Sequence, residues 1–134
     1  MSNRRTPLHA HAHAYRVAFL RSRAWFARRD AWFAHAAMGS TPLACVACGI
    51  QANKRDLELH HLDYTGVRQL GDGRWVAREP DGDLIPLHPY CHELLHRLID
   101  RDAVLSRHRT RRAASELALD ALRRALTHAE GAGT

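Results

Sequence analysis

The chain has 134 residues, which is enough for one compact domain with its own hydrophobic core and too few for two. Charged residues make up 25% of it, an ordinary share that argues against a disordered chain. The net charge of +6 is uneven, because residues 1–37 carry +6, residues 38–100 carry −3 and residues 101–134 carry +3. Basic flanks favour a polyanionic partner such as nucleic acid, although solvated arginine-rich helices would give the same totals.

The three cysteines, Cys45, Cys48 and Cys91, indicate the redox compartment. An odd number that includes a Cys-x2-Cys pair does not suit a disulfide framework and predicts metal-bound thiolates in a reducing environment. No apolar run approaches the length that spans a membrane, and the first residues lack the apolar segment of a signal peptide. We therefore expect a cytoplasmic protein with no membrane partner.

The N-terminal third of the sequence predicts a tail followed by a helix. Residues 1–13 contain three histidines alternating with alanines, and we expect a disordered tail there, with a metal-binding tail as the alternative. Residues 14–38 repeat apolar side chains at three- and four-residue steps, which predicts one helix that ends near Gly39 and buries its aromatic residues. We predict that five arginines contact nucleic acid: Arg21, Arg23, Arg28, Arg29 and Arg97.

A Cys-x2-Cys-Gly sequence at Cys45, Cys48 and Gly49 predicts a zinc knuckle, because the tight turn aims both sulfurs at one ion. A redox-active pair is the alternative, but no thioredoxin-like strand–helix context surrounds it. His88 and Cys91 offer a second pair of ligands at the same spacing. Together they make a shell of three cysteines and one histidine, which leaves no position for water and is therefore structural.

Between and after these ligand pairs, the pattern predicts short strands and two helices. In order, we expect a strand over residues 57–64, a hairpin or short strand over 66–82, a strand over 83–87, helices over 90–107 and 113–128, and a tail over 129–134. The expected fold is one α+β domain over residues 14–128, with its core over residues 43–108.

Four histidines remain outside the zinc shell. His92 and His96 share one face of a helix, and His60 ends a strand that the helix would cross. These three side chains would hold a second divalent ion with positions open for water and substrate. His61, unliganded beside them, would act as general base, an arrangement that suits phosphodiester hydrolysis. Packing of all four histidines in the core is the blander alternative.

The order of these motifs resembles that of the HNH endonucleases. The matching residues are Cys-x2-Cys, Leu-x-His-His, and Asp-Leu-x-x-Leu-His-x-x-Cys-His-x3-His, over about residues 45–96. The resemblance implies a ββα-metal, treble-clef-like core with N-terminal and C-terminal helices, and cleavage of DNA. The resemblance implies the roles already expected from the spacing. His61 would be the general base, and a catalytic Mg²⁺, Mn²⁺, Ni²⁺ or Zn²⁺ would bind His60, His92 and His96. Structural Zn²⁺ would bind Cys45, Cys48, His88 and Cys91.

The sequence departs from that family at two positions. The family's central Asn, which braces the loop carrying the base, falls on Asp83, and an ionised Asp accepts hydrogen bonds but donates none. His88 stands where a Cys is usual, which is conservative for zinc. A zinc-stapled nucleic-acid-binding module without catalysis is the alternative function. The small size favours weak sequence specificity, or specificity supplied by a partner, and leaves the oligomeric state open.

Overall fold

The structure is a computed structural model that describes residues 14–102 and 108–132, with side chains described as far as residue 128. The predicted tail over residues 1–13 and residues 103–107 of a predicted helix lie outside this description. Within it the fold is mixed α+β, with four helices and two small antiparallel sheets. The elements are α1 (residues 14–20), α2 (Arg23–Met38), β1 (Glu58–His61), β2 (Val67–Gln69), β3 (Trp75–Ala77), β4 (Leu84–Leu87), α3 (Pro89–Arg101) and α4 (Arg111–Ala132).

The predicted single helix over residues 14–38 is wrong, because the chain turns between α1 and α2. Ser22 makes the turn: its hydroxyl donates to the Phe19 carbonyl at 2.6 Å and accepts from the Trp25 N–H at 3.2 Å. A serine that caps a helix start satisfies an amide the helix itself leaves free. The apolar repeat runs through the break, since Phe19 and Trp25 are both buried, and so the repeat alone did not show it.

The predicted strands and hairpin are present, but the first strand is shorter than predicted, covering Glu58–His61 of the expected residues 57–64. β1 pairs antiparallel with β4, so that Glu58 lies opposite Leu87 and His61 opposite Leu84. β2 and β3 form the hairpin between them. α3 follows β4 after a single residue and packs against both β1 and β4, while α4 packs against α3.

The core lies between these helices and the β1–β4 sheet. Its largest apolar side chains come from every layer: Phe19, Trp25, Phe33, Leu57, Leu59, Leu84, Leu87, Leu95, Leu119 and Leu122. Phe26, which the aromatic pattern placed in the core, is instead 54% exposed. None of the helices within the described residues is long and apolar enough to cross a membrane.

The C-terminal helices differ from prediction at their ends. α3 ends at Arg101, and α4 begins two residues before and ends four residues after the predicted range. The Thr110 hydroxyl accepts from the Ala113 N–H at 3.1 Å, which gives α4 a capped start.

Gly66, just before β2, lies close to the backbone of Arg78 and Glu79, just after β3. A Cβ there would lie 2.7 Å from backbone atoms of Arg78 and Glu79, whereas one on Gly71 would meet nothing within 4 Å. We expect Gly66→Ala to lower the free energy of unfolding by about 1–3 kcal/mol, measured by urea denaturation, with Gly71→Ala as the control. Equal stability of the two variants would contradict this close approach.

Candidate metal centres and active-site cleft

The four predicted zinc ligands lie together. The Sγ atoms of Cys45, Cys48 and Cys91 and a ring nitrogen of His88 all lie within 4.8 Å of one another, with Cys48 Sγ 3.3 Å from His88 Nδ1. The first pair comes from a tight turn in which Gly49 has a φ of 78° and its N–H donates to the Cys45 carbonyl at 2.9 Å. The second pair comes from the start of α3.

The turn that carries the first pair is fixed at Val46 to two other elements. The Val46 N–H donates to the Pro86 carbonyl on β4 at 3.0 Å, and Arg123 Nε on α4 donates to the Val46 carbonyl at 2.7 Å. The cluster therefore joins the knuckle, β4 and two helices, as a structural metal site would.

The surroundings shift the pKa values of two thiols of this cluster in opposite directions. Burial works to raise the pKa of Cys45, but backbone N–H groups of Cys48, His88 and Ala47 outweigh it and lower that pKa to about 7. Burial and the neighbouring Cys45 charge raise the pKa of Cys91 to about 12. A second thiolate needs a cation to offset the repulsion, and a divalent ion supplies it. The cluster therefore fits a metal such as zinc.

The three predicted ligands of a second ion also lie together, and we call them the histidine cluster: His60 on β1, and His92 and His96 one turn apart on α3. Nδ1 of His60 lies 3.2 Å from Nε2 of His92, and Nε2 of His96 lies 3.0 Å from the same atom. One nitrogen of each ring thus faces a common centre, which is the arrangement that three metal ligands require.

Two contacts behind the histidine cluster fix its rings. Nδ1 of His92 lies 3.0 Å from Oε1 of Glu58, and Nε2 of His60 lies 2.9 Å from the Ser115 hydroxyl on α4. Because an ionised carboxylate only accepts, His92 carries its proton on Nδ1 and presents a lone pair at Nε2. Partners of this kind orient metal-binding imidazoles. Sequence reasoning missed both Glu58 and Ser115.

Two members of the histidine cluster stay neutral far below neutral pH. Burial, followed by the Arg111 charge, lowers the pKa of His60 to about 2. Burial, followed by the effect of His92, lowers the pKa of His96 to about 4. Neutral imidazoles keep the lone pairs that a metal needs, so protons compete weakly with an ion here.

His61 lies beside the histidine cluster and is held by a carboxylate that the sequence did not reveal. Its Nε2 lies 2.7 Å from Oε2 of Glu79, and both side chains are almost fully buried. Burial lowers the pKa of His61, and the hydrogen bond to Glu79 opposes that effect. Oε1 of Glu79 has no hydrogen-bond partner among the described residues. The hydrogen bonds described leave Nδ1 of His61 unpaired.

Aromatic rings enclose His61. The Tyr64 ring stacks on it with centroids 4.2 Å apart and 8° between the planes, and the Trp25 ring lies 4.6 Å away. Phe19 contacts it edge-on. These rings restrict the imidazole to one orientation and keep water from its Glu79 side.

The histidine cluster and His61 line one cleft. It has a volume of about 380 Å³ and also contains Arg16, Tyr64, Asp100 and Arg111 in its walls. Larger depressions of about 900 and 540 Å³ lie elsewhere and contain none of these histidines. The cleft brings together three potential metal ligands, the His61 ring and two arginines.

Asp83 contacts both α4 and the residue that follows β1. Its carbonyl accepts from the Leu62 N–H at 2.8 Å, and its carboxylate pairs with Arg112. Arg111 Nε donates to the His61 carbonyl at 2.7 Å. The end of β1 is thus held by the backbone of Asp83 and by an arginine, while the Asp83 side chain serves the ion pair.

The five arginines predicted to contact nucleic acid fall into two sets. Arg21, in the turn before α2, and Arg23, the first residue of α2, are both exposed. The other three are held by neighbouring groups: Arg28 by Glu79 and Asp81, Arg29 by Lys54 and Leu57, and Arg97 by Glu93.

No protein-family model matches the chain, and no curated protein or solved structure is significantly similar to it. The resemblance to HNH endonucleases therefore rests on the spaced cysteines and histidines. The set of Cys45, Cys48, His88 and Cys91, which we call the cysteine–histidine cluster, is compatible with a zinc-binding fold.

Loss of one thiolate should open the cysteine–histidine cluster. We expect Cys48→Ser to lose bound zinc and to abolish the cooperative thermal transition, because a structural metal contributes directly to folding. Metal content by mass spectrometry and melting by circular dichroism measure both effects, with His128→Ala, at an exposed position on α4, as the control. A cooperative melt that the substitution leaves unchanged would rule out a structural role for the metal.

Proposed function

We propose that this chain is a metal-dependent endonuclease of the HNH type that hydrolyses phosphodiester bonds in DNA. The observation that carries the proposal is the shared cleft, where the histidine cluster and the His61–Glu79 pair lie side by side. A domain that only bound zinc would need neither group. A ββα-metal core is part of this proposal, supported by the antiparallel β1–β4 pair that leads directly into α3.

Two metals belong to the proposal. The cysteine–histidine cluster would hold structural Zn²⁺, and the histidine cluster would hold a divalent ion such as Mg²⁺, Mn²⁺, Ni²⁺ or Zn²⁺. When bound, that ion supplies positive charge to the scissile phosphate and the leaving oxygen.

His61 acts as the general base. With Nε2–H donating to Glu79, the free Nδ1 accepts a proton from the attacking water. The Glu79 carboxylate then stabilises the imidazolium and keeps the ring in the tautomer that presents Nδ1. Glu79 is a positioning residue, since it acts through His61.

The DNA partner follows from the charge and from the reaction. Arg21 and Arg23 are exposed on one flank, and Arg16 and Arg111 line the cleft, so a polyanion meets cations at both places. The free thiols at the metal cluster suit a reducing compartment, which supports a cytoplasmic location.

A non-catalytic zinc-stapled nucleic-acid-binding module is the second candidate. The observation that favours it is the ion pair between Asp83 and Arg112, since the family's central Asn would be uncharged at this position. A non-catalytic module does not explain the buried His61–Glu79 pair, and this function therefore ranks second.

Removal of the base should abolish cleavage and leave the fold intact. We expect His61→Ala to nick supercoiled plasmid about 10²–10⁴-fold more slowly than wild type with Mg²⁺, Mn²⁺ or Ni²⁺ present. Metal content and a cooperative thermal transition should remain, with the transition at a lower temperature because the buried Glu79 loses a hydrogen-bond partner, and His128→Ala should cleave normally. Equal cleavage by wild type and His61→Ala would eliminate this mechanism, and absence of cleavage by wild type with DNA binding retained would support the module.

Glu79→Gln tests the positioning role. The amide keeps a hydrogen bond to His61 but loses the charge that stabilises the imidazolium, so kcat should fall roughly 10- to 100-fold. KM for DNA and bound metal should stay the same, because Glu79 contacts neither group. A rise in KM, or loss of metal, would instead assign Glu79 a purely structural role.

A further inference from the structure

Arg111, the first residue of α4, lines the cleft and has no carboxylate partner among the described residues. Its Nε donates to the His61 carbonyl at 2.7 Å, and its Cζ lies 4.9 Å from the centre of the Tyr64 ring. Neither partner carries a negative charge. Arg112, the next residue, is paired with Asp83, whereas no ion pair within the described residues includes Arg111.

The charges around Arg111 leave the cleft electropositive. Arg16 also lines it, and Asp100 is the one carboxylate among the lining residues. Within the described part of the chain, no hydrogen bond or ion pair joins Asp100 to either arginine. Burying a cation beside neutral groups is costly unless an anion joins it, so this wall of the cleft favours an anionic ligand.

We propose that Arg111, with Arg16 beside it, forms a phosphate-binding site that seats a phosphodiester between the histidine cluster and His61. Since Nε is engaged by the backbone and no hydrogen bond among the described residues involves the two Nη atoms, these atoms can meet two oxygens of one phosphate. A planar guanidinium matches that pair of oxygens, and an ammonium does not. Anion binding by Arg111 stands apart from the proposed function, whereas the identification of the phosphate as a DNA phosphodiester and its relation to His61 as base rest on it.

The site also links substrate to base. Arg111 contacts the backbone of the residue that carries the base, so a phosphate on its Nη atoms lies at a set position relative to His61. Positioning of this kind lowers the barrier by holding the reacting groups in place.

Inorganic phosphate is the probe for this site, with the zinc-loaded full chain. We expect phosphate to raise the melting temperature of wild type above that in chloride at equal ionic strength, because a ligand that binds only the folded state stabilises it. Arg111→Met should weaken phosphate binding about tenfold or more, and Arg111→Lys should weaken it less. Arg124→Met, at an exposed position on the same helix, should respond as wild type does.

Phosphate that protects Arg111→Met as well as wild type, or that protects neither protein, overturns the site. If Arg111→Met does not fold, Arg111→Lys is the test variant. Phosphate binding by Arg111→Lys that is as tight as in wild type would then contradict the proposal. In the cleavage assay, Arg111→Lys should lower kcat more than His128→Ala does. A wild type that fails to cleave DNA but gains stability from phosphate would refute the nuclease and retain the anion site.

Discussion

The alternation of side chains along β1 is the constraint on which the rest of the site depends. Successive strand residues differ in direction, so His60 and His61 contact different partners although both line the same cleft. His60 meets His92 on α3 and Ser115 on α4, while His61 meets Glu79 and the Trp25 ring. One peptide unit thereby separates a potential metal ligand from a potential base, and pairing with β4 holds that separation fixed.

This arrangement buries polar groups that a small domain would normally exclude. His60, His61, Glu79 and Ser115 are each at most 2% exposed. Their hydrogen bonds offset most of the desolvation cost, but Oε1 of Glu79 is left without a partner. The backbone around Glu79 is held from two sides, by the close approach of Gly66 and by Arg28 Nε, which donates to the Glu79 carbonyl at 2.8 Å. Such support is what a costly buried carboxylate needs when its role is to orient another residue.

The sequence predicted those parts of the site that obey local spacing. Cys45 and Cys48, or His92 and His96, are a few residues apart, so turn and helix geometry bring them together before any tertiary contact forms. Glu79 reaches His61 across 18 residues and Ser115 reaches His60 across 55, and no periodic pattern marks either residue. The apolar repeat also failed to predict the helix break at Ser22, because buried residues continue at helical spacing on both sides of that hydrogen-bonded turn.

The C-terminal helix α4 contributes directly to the proposed site. Ser115 reaches His60, Arg111 reaches the carbonyl of His61, and Arg123 reaches the knuckle at Val46. These contacts come from one helix, so a shift of α4 would move the partners of His60 and of the His61 backbone together. The histidines and cysteines are the potential ligands, but two residues that hold the ends of the site, Arg111 and Ser115, lie on a helix beyond the last motif residue, His96. The proposed preference of the cleft for an anion has the same origin, because Arg111, which has no ion-pair partner among the described residues, is the first residue of that helix.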